Sequence, residues 1–413
     1  MSIVSSRFRM EASSLDARVT PLELFFDLVF VFALTQVTAL MAADLTGRGI
    51  LRGVLMLGLL WWSWTAFAWL CNAVKADEGA IRIALLVAMI AMFVLALAIP
   101  EAFDDLDGAL PGPVVVAVCY FLFRLMHLVL YWIISSDDPG LRRQLIRFAP
   151  SMIGGTTMLL VASQYRGTAQ TILWAAALLA DYGGTYLGGS QGWRLRSAGH
   201  FSERHGLILI VALGESIVAL GVGAAEVAVS WPILAGSAAG LVLAAALWWA
   251  YFDITALQGE HALAQEPEAT RPRLARDAYS FLHFPMVVGV VVLALGLKKV
   301  LEYVGDSEHH QLGDPLTGIG LYSLYGGVVI YLLGHIAFKW RIAHHVTFDR
   351  VVAAAALVAL IPVAVRLPAL AALVLLTGVM VAVISFETVH FAEPRNQVRH
   401  HIAAANERQG SGG

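Results

Sequence analysis

The chain has 413 residues, of which 59% are hydrophobic and only 14% are charged. This leaves too little polar surface to cover the core of a soluble domain, so the composition excludes an ordinary globular protein. The formal net charge of −3 points to no charged partner. We therefore expect an integral membrane protein whose partner is the lipid bilayer and which binds no nucleic acid.

Runs of apolar residues long enough to cross about 30 Å of hydrocarbon recur along the chain. They predict an all-α integral membrane protein with about twelve transmembrane helices. The predicted spans share a length of about 15 to 21 residues and lie at 21–41, 53–71, 83–99, 114–134, 148–163, 171–187, 207–225, 233–252, 281–297, 319–338, 351–365 and 369–389. The fifth and the eleventh are the shortest.

Positive charge alternates between the loops that join these spans. Most of the 27 Lys and Arg residues fall in one alternating set of loops, which also includes both ends of the chain. Cationic loops mark the cytoplasmic side. The sequence therefore predicts a multi-pass membrane protein with a cytoplasmic N-terminal segment at 1–20 and a disordered cytoplasmic tail at 392–413.

The two halves of the chain resemble each other. The Trp61-Trp62 pair of span 2 recurs as Trp248-Trp249 in span 8, and similar matches join spans 1 and 7, 3 and 9, and 4 and 10. Six spans per half require repeats of the same orientation. We predict a six-plus-six direct repeat, with halves at 21–190 and 191–391 and a solvated cytoplasmic loop at 256–279 that is a plausible hinge.

Span 1 opens with Thr20-Pro21 and carries two acids, Glu23 and Asp27. Residues four apart share a helix face, so both carboxylates point the same way. An acid inside a membrane helix costs roughly 2.5 kcal/mol or more, which favours a functional role. The alternative is that Glu23 lies at headgroup level and Asp27 packs or caps locally.

Further ionisable residues lie inside later spans: Arg124, His127, Asp181, His335 and Glu387. Opposite charges in lipid pair, so we predict an ion pair between Arg124 and either Asp27 or Asp181. Such a pair is either architectural or part of a proton or ion relay with His127. The glycines around Asp181 permit close helix approach, which is a packing feature as readily as a site.

Span 7 follows a polar stretch that includes Glu203, Arg204 and His205. Ser202 is a candidate cap for its N-terminus. Glu215 lies about 12 Å deeper than Leu207 at 1.5 Å per residue and is followed by Ser216. A carboxylate at that depth is the strongest single candidate for a functional residue.

Motifs of known enzymes and metal centres are missing from the sequence. It contains no phosphate-binding loop, dinucleotide-binding glycine fingerprint, CxxC pair or HExxH motif, and Gly214-Glu215-Ser216 is no nucleophile elbow. The histidine pairs, such as His309-His310, lack the ligand spacing of a metal site. We expect no enzyme activity, no catalytic residue, no cofactor and no metal.

Two stretches carry a family resemblance. The segment from Thr20 to Val31, reading Thr-Pro-Leu-Glu-Leu-Phe-Phe-Asp-Leu-Val-Phe-Val, and the segment from Phe201 to Ser216 resemble the two signature segments of the bacterial low temperature requirement A (LtrA) family. The resemblance implies a multi-pass inner-membrane protein linked by name to growth in the cold. It supports the motif residues as important: Glu23, Asp27, Glu203, Arg204, His205, Glu215 and Ser216.

These observations favour a secondary transporter or ion-coupled permease that moves protons or a small solute. Two six-helix halves would enclose a cavity, with Asp27, Asp181 or Glu215 binding the coupling ion and with Arg124 and His127 tuning those acids. The alternatives are a cold- or envelope-stress sensor or scaffold without transport activity, and an ion channel. A membrane enzyme acting on lipids is the least favoured.

Overall fold

A computed structural model describes residues 17–390, except 78, 106, 107, 109, 226 and 307. The predicted cytoplasmic tail at 392–413 and most of the N-terminal segment lie outside these residues. Helix is the only extended regular structure in the described part of the chain, which confirms the all-α prediction. Twelve of the helices have 17 residues or more, namely α1 (Pro21–Ala43), α2 (Gly47–Ala73), α3 (Gly79–Leu97), α4 (Gly112–Ile134), α5 (Pro139–Ala162), α6 (Gly167–Leu187), α7 (Ala198–Gly223), α8 (Trp231–Phe252), α11 (His283–Gly305), α12 (Gly318–Ala343), α13 (Phe348–Ala364) and α14 (Ala369–His390).

Each predicted span lies largely within one of these twelve helices. Ten helical segments of the described chain are long and apolar enough to cross a membrane. The other two long helices are α6, which carries Asp181 among its polar residues, and α13, which has 17 residues and reaches about 26 Å. The fifth span is longer than predicted, because its helix begins at Pro139 with a polar first turn.

The surface of these helices is apolar, while several charged side chains are buried. Ile90 is 66% exposed, Leu179 73% and Val389 80%, whereas Asp27 is 2% and Arg124 1% exposed. A monomeric soluble protein rarely exposes so much contiguous apolar surface. The distribution is that of helices surrounded by lipid, with polar groups paired in the interior.

The segment at 256–279, which we predict as a solvated cytoplasmic loop, is largely helical rather than irregular. It comprises α9 (Thr255–Gln265), α10 (Arg271–Leu274) and a π-helical turn at Ala275–Phe281. Its many charges lower the average hydropathy, but single apolar residues such as Leu263 and Leu274 are buried. These few contacts are enough to order helices that are too polar to cross a membrane.

The chain divides into two compact units. Unit 1 runs to Arg204 and includes Glu266–Ser280, and unit 2 comprises His205–Gln265 and the chain from Phe281 onward. Each unit is described separately below.

Unit 1 contains α1 to α6 and the first turns of α7. Its α2 is buried along nearly its whole length, and α1, α4 and α6 pack against it. α1 begins at Pro21, where a missing N–H costs nothing. A capping box fixes that start, since the Thr20 hydroxyl accepts from the Glu23 N–H while the Glu23 carboxylate accepts from the Thr20 N–H.

In unit 2, α11 and α12 form the closest helix pair. A Cβ added at Gly289 would lie 2.4 Å from the Tyr331 backbone nitrogen, and one at Gly327 would lie 2.5 Å from the Leu293 nitrogen. The two backbones therefore touch at positions that admit only glycine, which is how membrane helices gain packing energy without a hydrophobic driving force. The remaining helices of the unit include α14, which packs against α8.

Candidate functional site

A buried charge cluster joins the start of α1 to the start of α7 within unit 1. We call the residues Glu23, Asp27, His200 and Arg204 the signature cluster, because three of them belong to the segments singled out in the sequence. Their exposed fractions are 2% or less. The prediction that Glu23 and Asp27 face the same way is confirmed, and both face the protein interior.

Asp27 accepts three hydrogen bonds. The Arg204 guanidinium donates from Nη1 at 3.1 Å and from Nη2 at 3.0 Å, and the Trp64 indole donates at 2.9 Å. Arg204 also donates to the Glu23 backbone carbonyl at 3.0 Å, and its plane lies over the Trp64 ring. The bidentate pair of hydrogen bonds between Arg204 and Asp27 is among the strongest charge-assisted contacts in proteins.

Glu23 is held by His200, whose tautomer follows from its neighbours. The Asn72 amide is oriented by two backbone groups, since its oxygen accepts from the Arg196 N–H and its nitrogen donates to the Ser197 carbonyl. That nitrogen also lies 3.3 Å from His200 Nδ1, which must accept. His200 Nε2 therefore carries the proton and donates to the Glu23 carboxylate at 2.9 Å.

The start of α7 differs from the sequence prediction in its capping residue. Ser197, not Ser202, caps the helix, because its hydroxyl accepts from the His200 N–H at 3.1 Å. Ser202 lies one turn inside the helix and its hydroxyl is 3.0 Å from that of Tyr279. Glu203 accepts from the Val19 N–H at 3.4 Å, which ties the chain before α1 to the same helix.

A second buried ion pair lies between α4 and α6. Arg124 Nη2 donates to both carboxylate oxygens of Asp181 at 3.1 Å, and the Tyr120 hydroxyl donates to Oδ2 at 2.9 Å. Arg124 and Asp181 are each 1% exposed. Of the two partners predicted for Arg124, the structure selects Asp181.

A small cavity adjoins this pair, entirely within unit 1. The space open to water centres is about 50 Å³, and one water needs roughly 10–15 Å³, so the cavity admits a few waters or a small ion. Polar and aromatic side chains line it, namely Trp62, Thr65, Trp69, Arg124, His127, Phe148, Thr185, Trp193, Arg276 and Ser280.

Several polar atoms on the cavity wall lack a protein partner. Among the described residues, Arg124 Nε and the Thr65 hydroxyl have no hydrogen-bond partner, and the His127 ring has only a weak interaction with the Ala66 backbone. The three side chains are at most 3% exposed. Buried polar groups in native proteins are almost always hydrogen-bonded, so these atoms indicate an occupant of the cavity.

The π-helical turn supplies the remaining cation of the wall. The Ser280 carbonyl accepts from the Trp61 indole at 2.7 Å, and the Ser280 hydroxyl accepts from the Trp69 indole at 3.0 Å. Arg276 donates to the Tyr186 carbonyl at 3.3 Å and pairs with Asp277. π-helical turns interrupt regular helices most often at functional sites.

Unit 2 has its own buried ion pair. Arg350, at the start of α13, donates to both carboxylate oxygens of Glu387 at 2.9 and 3.0 Å and to the Ala250 carbonyl at 2.9 Å. His335 lies against the same guanidinium, with its Nε2 3.0 Å from the Thr255 hydroxyl. Two of the candidates, His335 and Glu387, are thus brought together by an arginine that the sequence reasoning did not single out.

The remaining candidates lie within α7 in unit 2. Glu215 is 1% exposed and Ser216 is fully buried. His205 is also fully buried and its ring meets that of His283 edge to face at 5.4 Å. Burial therefore holds for every candidate of this helix except Glu203, which is partly exposed.

Sequence reasoning missed several residues of these sites, among them Trp64, Thr65, His200, Arg276 and Arg350. Only His200 and Arg350 had a usable signal, because each lies beside a helix start next to a polar cluster. Among the described residues, no group of three His, Cys, Asp or Glu side chains is arranged to hold a metal ion.

The chain is similar to known proteins over most of its length. A curated protein of Rhizobium meliloti (strain 1021), named uncharacterized protein RA0937, is 27% identical over 336 residues, which cover 77% of this chain and 76% of that protein. No solved structure matches. The model of the family described as "Bacterial low temperature requirement A protein (LtrA)" matches residues 18–385. Because this match takes in both signature segments and nearly all of the described chain, the protein belongs to the LtrA family.

Proposed function

We propose that this LtrA-family protein is an ion-coupled secondary transporter of the bacterial inner membrane, with the proton as its coupling ion. The observation that carries the proposal is the cavity of unit 1, which joins water-sized space to the buried Arg124–Asp181 pair and to His127. Ionisable groups at membrane depth are costly and mark ion pathways by default. Here they also adjoin space for water, which a proton path requires.

Asp181 is the proposed proton carrier of unit 1. In its ionised form it is neutralised by Arg124 and accepts from Tyr120. A proton arriving through cavity water would neutralise the carboxylate and free the guanidinium to bind another group. Exchange of the proton for another partner of Arg124 is the chemical basis of coupling.

The signature cluster has a different role in this proposal. Asp27 accepts three hydrogen bonds and Glu23 is bound on both sides, so both carboxylates already serve structural contacts. We propose that these residues lock the start of α1 to the start of α7. If that lock is the only function of the buried charges, the protein is a sensor or scaffold, which is the second candidate.

The predicted orientation and repeat belong to the same proposal. Both chain ends would face the cytoplasm, as the distribution of cations in the loops indicates. In support of a six-plus-six repeat, the second and sixth long helices pack together in each unit (α2 with α6, α8 with α14), and each unit has an Arg–carboxylate pair whose acid lies on its sixth helix.

The test uses proteoliposomes loaded with a pH-sensitive dye. Wild type is expected to move protons after a pH jump, and Asp181→Asn to lose that movement, while the control Asp137→Asn, the same change at an exposed residue, keeps it. Glu215→Gln measures whether the acid of α7 contributes as well. Equal and negligible proton movement in wild type and Asp181→Asn, with both proteins folded, would contradict transport and favour the scaffold.

A further inference from the structure

The cavity of unit 1 has a chemical bias that goes beyond a water-filled space. Two guanidinium groups, Arg124 and Arg276, form part of its wall. No Asp or Glu is among the described lining residues. A cation would meet like charge on both sides, whereas an anion would meet two positive groups.

The hydrogen-bonding capacity of the wall points the same way. Arg124 Nε is a donor without a protein acceptor, and the Thr65 hydroxyl is also unpaired among the described residues. The His127 ring has only a weak interaction with the Ala66 backbone, and no side chain of the described residues pairs with it. Arg124 and Thr65 thus offer N–H and O–H groups to one small space that His127 adjoins.

The size of the cavity limits the ligand. Its volume of about 50 Å³ holds on the order of three or four waters. This fits a halide or an anion of three or four heavy atoms, such as formate or nitrate. A sugar acid such as gluconate is too large.

We propose that this cavity is a binding site for a small monovalent anion, held by Arg124, Arg276, Thr65 and His127. Trp62, Trp69, Trp193 and Phe148 form the apolar part of the wall, which excludes bulk water and strengthens the charge interaction. Since each arginine already has an acid partner, Asp181 or Asp277, the local net charge is near zero and we expect the anion to bind weakly.

The inference deepens the proposed function by naming the solute class, and to that extent it rests on that function. An anion beside Arg124 competes with Asp181 for the same guanidinium. Loss of the Asp181 charge therefore favours the anion, and by reciprocity a bound anion favours the uncharged acid. Proton–anion cotransport is the coupling that this arrangement supports.

The experiment measures binding and transport separately. The thermal unfolding midpoint of purified protein in a neutral detergent is followed while sodium chloride or sodium formate replaces sodium gluconate at constant ionic strength. A ligand that binds only the folded protein raises the midpoint with concentration, and half-saturation gives the affinity. We expect saturable stabilisation by both small anions.

Variants assign the effect to the cavity. Arg276→Gln and Thr65→Val are expected to weaken binding, Arg276→Gln by about tenfold, because each removes a donor to a charged ligand. Asp181→Asn is expected to tighten binding, since Arg124 then lacks its acid. The control Arg166→Gln, on a side chain that is 54% exposed and is not part of the cavity wall, should bind as wild type.

Two results would overturn the anion site: no difference between chloride or formate and gluconate in wild type, or stabilisation that is unchanged in both Arg276→Gln and Thr65→Val. The variant Thr65→Val is nearly isosteric, so it tests the site even if a charge substitution impairs folding. Anion binding without proton or anion flux in proteoliposomes would retain the site and refute transport. Proton flux in proteoliposomes without anion binding would retain transport and refute the anion site.

Discussion

The signature cluster predicts a large loss of stability for a single isosteric change, Asp27→Asn. The asparagine keeps one oxygen to accept from Trp64 or Arg204, but its amide nitrogen then faces a guanidinium donor. Arg204 is fully buried and retains only Glu23 as countercharge, at 3.8 Å from its Nε. Removing one partner of a buried ion pair costs about 3–5 kcal/mol, and the retained acceptor places the expected loss near 3 kcal/mol.

The matched control is Asp138→Asn, which makes the same chemical change in an ion pair at the surface. Asp138 caps α5 by accepting from the Gly140 and Leu141 N–H groups, and asparagine caps as well as aspartate does. Its ion-pair partner Arg194 is 60% exposed. Asp138→Asn should therefore cost about 0–1 kcal/mol, the range of surface pairs.

The assay is unfolding in mixed micelles with increasing fractions of a denaturing detergent, followed by circular dichroism. The free energy of unfolding is compared between wild type, Asp27→Asn and Asp138→Asn. A loss of unfolding free energy in Asp27→Asn that is no larger than that in Asp138→Asn would refute the reasoning, because a buried guanidinium that lacks its acid should destabilise the fold by more than a surface pair does.

Three further outcomes follow from single features of the structure. The hydrogen bond from Arg194 lowers the pKa of Asp138 below the ordinary value of 3.8. The stability that wild type gains over Asp138→Asn should therefore be present at pH 7 and disappear as the pH falls below about 3.8. Thermal unfolding midpoints of both proteins at pH 7 and at a pH below 3.8 measure this difference. Gly289→Ala should cost about 1–3 kcal/mol because its Cβ would meet backbone atoms, whereas Gly326→Ala, with open space at its Cβ, should be neutral in the same unfolding assay. A single cysteine that replaces the exposed Glu268 should react with an impermeant maleimide only from the cytoplasmic side, and one that replaces the exposed His309 only from the outer side. The two native cysteines are buried and do not interfere. Equal labelling of both positions from outside would contradict the proposed orientation.

Hydropathy predicted the helices of this protein well because the bilayer imposes length and composition on each span separately. Each predicted span lies largely within a long helix, and the fifth was underestimated only where the helix extends beyond the apolar run to Pro139. The segment at 256–279 escaped the same reasoning. Its order comes from a few buried side chains, such as Leu263, which an average over a window hides.

The sequence predicts which charged residues belong to the buried sites, but only partly which of them pair. The free-energy cost of placing a charge inside a membrane span identifies Asp27, Arg124 and Asp181 one residue at a time. Asp181 is one of the two partners expected for Arg124. The sequence could not show that Arg204 pairs with Asp27, because that contact depends on how helices far apart in the chain pack. The cavity was invisible for the same reason, since its wall combines four helices, the segment before α7 and the π-helical turn.

The most direct test of ion-coupled transport is a measurement of internal pH. Wild-type proteoliposomes that contain a pH-sensitive dye receive a pH jump in gluconate buffer, and then the same jump in chloride buffer. One proton that moves with one monovalent anion carries no net charge, so the internal pH, and not a current, reports the cotransport. The account predicts a change in internal pH that is faster than that of empty liposomes, depends on the small anion and is lost in Asp181→Asn. Changes equal to those of empty liposomes in both buffers would contradict it and leave the buried ion pairs as parts of a membrane scaffold.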